Sequence, residues 1–238
     1  LFDRGLNGAS VARIFGPVKS IFSFAANESG LVLNNPFSNV YFDRKVRVSA
    51  REPISTENIK LLQEACFRKD DPLRWLIAIV SDTGMRLAEA AGLSIDDIHL
   101  TETGTSTVEI KPHPWRRLKT DWSARTIPLV GASLWAAERI IAKAESVFAF
   151  PRYNIDDMTN SNSASAALNK WLKNVGNDKS TMHGFRHSMR DRLRDVGAQS
   201  ELIDQIGGWS GSGNVGQSYG QGYTVEVMHK WMTLIVLD

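Results

Sequence analysis

Arg86, Lys119, His183, Arg186, Trp209 and Tyr219 follow one another along this chain, and their types suit the cleavage of a phosphodiester by a tyrosine. Negative charge builds on the equatorial oxygens of a phosphodiester as a nucleophile attacks, so cations must already be in place there. Arginine suits that task, because its planar fork keeps its charge and can bond two phosphate oxygens at once. Arg86 and Arg186 would form such a clamp. The leaving alkoxide needs a proton, which Lys119 or His183 can supply when neighbouring charge and burial tune them. A tyrosine oxygen can attack, form a covalent bond and later leave. Tyr219 is the candidate nucleophile, and Tyr223 is the alternative.

The residues around these positions carry a family resemblance. Thr83-Gly84-Met85-Arg86-Leu87-Ala88-Glu89-Ala90-Ala91-Gly92-Leu93 and His183-Gly184-Phe185-Arg186-His187 resemble the two arginine boxes of the tyrosine recombinases, the phage integrase family. Leu118-Lys119-Thr120, followed by Ser123-Ala124-Arg125-Thr126-Ile127-Pro128-Leu129, is similar to the family's lysine-bearing β-hairpin and its exit strand. Ile206-Gly207-Gly208-Trp209-Ser210 and then Tyr219 complete the order, and the resemblance spans roughly residues 52 to 235. Two features depart from the pattern. Trp209 stands where many members carry histidine, and its indole N–H can only donate, so it can bond a phosphate oxygen but cannot shuttle a proton. The glycine-rich stretch Gly211 to Gly216 also makes the interval from Trp209 to Tyr219 one residue longer than usual.

The resemblance implies a mostly α fold with a small antiparallel β-sheet, the tyrosine recombinase catalytic domain. It implies a site-specific recombinase that cleaves and rejoins duplex DNA through a 3′-phosphotyrosyl intermediate, integrating or excising a phage or genomic island. Arg86, Arg186 and Trp209 would stabilise the transition state, Lys119 would protonate the 5′-hydroxyl, and His183 would assist the tyrosine. Glu89 would orient Arg86, while Arg116, Arg117 and Arg190 would contact DNA. The implied partners are attachment-site duplexes, further copies of the chain in a homotetramer joined through the C-terminal helix, and accessory DNA-bending or directionality proteins. Two other readings stand beside this one: a type IB topoisomerase that relaxes supercoils, and a catalytically silent DNA-binding module in which the longer loop removes Tyr219 from reach. Bond energy kept in a phosphotyrosine needs no cofactor or metal. The sequence has no Gly-x-x-x-x-Gly-Lys-Ser/Thr loop, and its acidic pairs, Asp156-Asp157 and Asp191 with Asp195, read as cap or surface residues.

Taken singly, each residue has a plainer reading: Arg86 a helix-end charge, Lys119 a solvated loop lysine, His183 and Trp209 packed rings. Their joint order carries the argument. With 42% hydrophobic and 23% charged residues, the chain reads as an ordinary globular protein. The net charge of +2 neither requires nor excludes nucleic acid, and the local crowding of Arg186, Arg190, Arg192 and Arg194 says more. Cys66 is the only cysteine, so no internal disulfide or cysteine-rich metal site can form. That fits a reducing bacterial cytoplasm, and no apolar run reaches membrane length.

Periodicity predicts the elements that must hold these side chains. Val11, Ile14, Phe15, Val18, Ile21, Phe22 and Ala25 recur at helical spacing. The family resemblance implies that this helix is the C-terminal remnant of an N-terminal core-binding domain over 1–33, followed by a linker over 34–51 and the catalytic domain over 52–238. The start at Leu1 agrees with a piece of a longer protein. Ser55 caps one expected helix, a second begins at Pro72, and Asp82-Thr83-Gly84 breaks it just before Arg86. Short strands are expected near 98–100, 107–110 and 125–129, and helices over 133–146, 161–175, 183–196, 199–206 and 224–236.

Overall fold

The computed structural model describes residues 1–43, 45–46, 53–209 and 222–237. Two compact units divide at Arg51 and Glu52.

The first unit is built on α1 (Gly8–Glu28), whose first turn is capped by the Asn7 side chain accepting from the Ser10 amide. The chain returns along this helix. Asn35 donates to the Lys19 carbonyl and the Ser23 hydroxyl, and Phe37 and Phe42 pack against Phe22 and Phe15. The expected apolar stripe is only partly covered, since Ile14, Val18 and Ile21 stay exposed. Among the described residues of this unit, α1 and the returning segment offer too little surface to bury it.

The second unit is organised around α3 (Pro72–Thr83), in which Leu76 through Val80 are fully buried. Such an all-round apolar helix can only be a core helix. It is wrapped by α2 (Thr56–Lys69), α5 (Gly131–Ala142) and α7 (Met182–Asp195). The short α4 (Leu87–Ala91), α6 (Ser161–Val175) and α8 (Ser200–Gly207) complete the helical body. Three strands, β1 (Ile98–His99), β2 (Thr107–Ile110) and β3 (Arg125–Pro128), pair antiparallel in sequence order, with Val108 opposite Ile127. The expected small sheet is therefore present.

A second hairpin, β4 (Asn154–Ile155) with β5 (Met158–Thr159), was not anticipated from the sequence. Its turn is Asp156-Asp157, both at positive φ. Aspartate tolerates that conformation better than most residues, and a two-residue hairpin turn requires it.

The last helix, α9 (Val225–Thr233), packs on its own unit through buried Met228 and Met232, with Ile235 just beyond. Arg192 fastens this end of the chain. Its guanidinium donates to the Ile235 carbonyl and pairs at 3.0 Å with the fully buried Asp82, which also accepts from Gln63 and the Ala132 amide. Val227 and Leu234 remain exposed on the same segment.

Candidate functional site

Arg86 occupies the break between α3 and α4. Gly84 ends α3 in the left-handed conformation at φ 61°, and Arg86 is the N-cap of the next helix. The left-handed conformation favours glycine there, and a Cβ at position 84 would also press on the Met189 side chain of α7. The break frees the Gly84 carbonyl, which accepts from Arg186 at 2.9 Å. One tight turn therefore positions both arginines of the proposed clamp.

Glu89 holds Arg86 from beneath. Its carboxylate accepts from the Arg86 amide at 2.9 Å and the Arg86 guanidinium at 2.6 Å, and from Arg125 at 3.0 Å. Burial alone would raise its pKa. The adjacent Arg125 charge and these bonds outweigh burial and hold it below the usual glutamate range. Ser123 adds a further contact, since its buried hydroxyl accepts from Arg86 at 3.0 Å.

Arg186 projects from α7 and is only 3% exposed, with one terminal nitrogen buried and lacking a hydrogen-bond partner. Burial pulls its pKa down to about 9, and the charges of Arg125 and Arg86 push the same way. It stays cationic at neutral pH. A guanidinium made this uncomfortable by burial and like charge is one that an anion would relieve. Its carbon lies 4.2 Å from the centre of the Trp209 ring, and that of Arg190 lies 4.8 Å away. Such contacts hold the indole and the two cations in one arrangement. Trp209 reaches this position because Gly208 is left-handed at φ 60°, while a Cβ on Gly207 would sit 1.8 Å from the indole.

Between these groups lies an open cleft of about 340 Å³. Arg86, Lys119 and Thr120 line one part of it, and Arg190, Asp204 and Trp209 another. Lys119 is exposed on the loop between β2 and β3, as expected of a residue that must reach a ligand. His183 is exposed one turn before Arg186 on α7, with its ring edge-on to His187 at 4.8 Å. Arg117 is exposed on the β2–β3 loop, and Arg190 is ion-paired with Asp204 at 3.0 Å. The described residues thus bring Arg86, Lys119, Arg186, Arg190 and Trp209 together. Tyr219 lies outside them. Tyr223 is described: its hydroxyl donates to Gln199, while its backbone is bridged both ways by Gln205.

Arg116 corrects an expectation. It was read as a DNA contact, yet it is 3% exposed and donates to the carbonyls of Glu89 and Lys111. It passes directly over Gly92, where any Cβ would meet it, and so braces α4 from inside. Lys111 and His113 likewise turn to the buried Asp97 at 3.3 and 2.7 Å. Sequence reasoning also missed Arg125 and Asp204. Arg125 had a visible signal, because it shares the inward parity of Ile127 and Leu129 on one strand. A cation on a core-facing position needs a buried partner, and Glu89 is that partner.

This helical body with its three-stranded sheet and cationic cleft is the fold of a tyrosine recombinase catalytic domain. The phage integrase family model matches residues 52–224, and the chain belongs to that family, the tyrosine-type site-specific DNA recombinases. The Tn1549 transposon integrase, solved in complex with transposon right end DNA, superposes with a TM-score of 0.62 at 17% identity, covering 96% of this chain and 76% of that one. A lambda integrase dimer bound to a COC′ core site gives a TM-score of 0.63 at 16% identity, covering 89% and 59%. XerH site-specific recombinase bound to palindromic difH substrate gives 0.56 at 18% identity, covering 87% and 67%. A search of curated proteins finds no sequence match.

Proposed function

We propose that the cleft holds the scissile phosphate of an attachment site, and that this chain integrates or excises a phage or genomic island by tyrosine-mediated strand exchange. The observation that carries this reading is the convergence of Arg86, Lys119 and Trp209 from three separate elements on one cleft, with the buried Arg186 guanidinium packed against Trp209 behind it. The Tyr219 oxygen attacks phosphorus as its proton passes towards His183. The bond from phosphorus to the 5′ oxygen breaks, and Lys119 protonates that oxygen, leaving a 3′-phosphotyrosine and a 5′-hydroxyl. Arg86 and Arg186 take up the charge that grows on the equatorial oxygens. Trp209 keeps the two α7 arginines in place and donates its indole N–H. A 5′-hydroxyl from a partner strand then reverses the step.

Residues 1–33 are read as part of an N-terminal DNA-clamping domain and 34–51 as its linker. Work on chromosomal DNA would place the protein in a bacterial cytoplasm. Assembly of several copies on DNA would use the exposed apolar side of α9, with Val227 and Leu234 available to a neighbour. Incubating the full-length protein with two attachment-site duplexes tests the function. Recombinant joint strands are expected. Relaxation of supercoiled plasmid without any joint product would instead favour the topoisomerase reading.

A further inference from the structure

Trp122 is the most exposed of the seven tryptophans at 66%, and the other six are buried or half-buried. One exposed apolar residue needs no explanation by itself. What singles this one out is how its backbone is held. Its neighbour Ser123 is fully buried, bonded through its amide to the Thr120 carbonyl and through its hydroxyl to Arg86 and Thr120. The Ser123 carbonyl accepts from Arg125 at 2.6 Å. Two arginines of the cationic cluster therefore anchor the residue next to the indole. On the other side, Lys119 and Thr120 line the cleft itself. The exposed indole thus sits on a short turn fastened to the arginines beside the cleft.

We propose that Trp122 is a DNA-contacting residue that stacks on the sugar and base face of a nucleotide beside the phosphate held by the cleft. Stacking is tolerant of sequence, because every base offers a π face. It also suits a reaction in which a strand end must leave its helix after cleavage. Trp122 would then position DNA relative to Arg86 without taking part in the chemical step. This inference rests on the reading of the cleft as a phosphate site.

The test is titration of the full-length protein onto a fluorescein-labelled nicked duplex at several salt concentrations, with Trp122→Ala, Trp122→Phe and Arg190→Ala. Loss of one stacked base corresponds to roughly 5- to 150-fold weaker binding for Trp122→Ala. Its salt slope should match that of the unmodified protein, since no phosphate contact is lost. Trp122→Phe should recover most of the affinity, and thermal unfolding should be the same for both variants. Arg190→Ala should lower the salt slope by about one. If Arg190→Ala does so while Trp122→Ala binds as the unmodified protein does, the stacking role is wrong and the cleft reading stands. If the unmodified protein does not bind the duplex, or Arg190→Ala leaves the slope unchanged, the cleft reading fails and the proposal fails with it.

Discussion

Replacing Glu89 by glutamine tests how the site is held together. The carboxylate faces three donors: the Arg86 amide, the Arg86 guanidinium and the Arg125 guanidinium. Glutamine offers one acceptor oxygen and an NH₂ group, which must then face at least one of those donors. It also removes the negative charge between two guanidinium groups in a nearly buried place, where the Glu89 and Arg125 side chains are each 4% exposed. Breaking a buried pair by removing one partner costs about 3–5 kcal/mol. For a unit of this size that lowers the melting temperature by roughly 6–20 °C. The pH dependence has a definite sign. A carboxylate held below its ordinary pKa stabilises the fold above the unfolded value, and that contribution is lost as pH falls through the folded value. Circular dichroism melts at neutral pH should therefore separate Glu89→Gln clearly from the unmodified protein, and the gap should narrow as acid protonates Glu89. Urea titration should show a lower midpoint with the same slope. A neutral-pH difference below about 1 kcal/mol, less than the cost of breaking a buried pair, would refute the reasoning.

Three other outcomes follow from the same geometry. Arg86→Ala and Arg186→Ala should each slow covalent cleavage by about 10²–10³-fold in single-turnover assays, with DNA affinity falling far less. Gly207→Ala places a methyl group where the indole lies, so it should cost about 1–3 kcal/mol in urea denaturation and reduce cleavage by displacing Trp209. Arg192→Ala leaves Asp82 buried without its cation, which should destabilise the catalytic unit by about 3–5 kcal/mol and show as early hydrogen exchange in α9.

Most of the fold was legible because helical periodicity and punctuation agree along this chain. Ser55 caps α2 and α3 begins at Pro72 as the sequence suggests, and Gly84 breaks α3 where the sequence places a break. The cleft was legible where a charged residue sat beside turn residues, as at Gly84-Met85-Arg86. It was misread where two arginines stand side by side. Arg116 and Arg117 look alike in sequence, yet one lies over Gly92 with its charge bound to backbone carbonyls and the other is exposed. Only the tertiary approach of α4 to the loop decides which is which. Arg125 was quoted for its motif and not for its chemistry, because its partner Glu89 lies 36 residues away and no local pattern links them. The Asp156-Asp157 turn escaped notice because two-residue strands carry too little alternation to read.

The central claim is that a tyrosine next to this arginine cleft becomes joined to DNA. Incubating the full-length protein with nicked suicide duplexes of its attachment site, then mapping any covalent adduct by mass spectrometry, tests it most directly. The account predicts a 3′-phosphate adduct on Tyr219 that Tyr219→Phe abolishes and Tyr223→Phe leaves in place. An adduct on Tyr223 would overturn the assignment of the nucleophile, and specific DNA binding with no adduct on any tyrosine would contradict the mechanism itself.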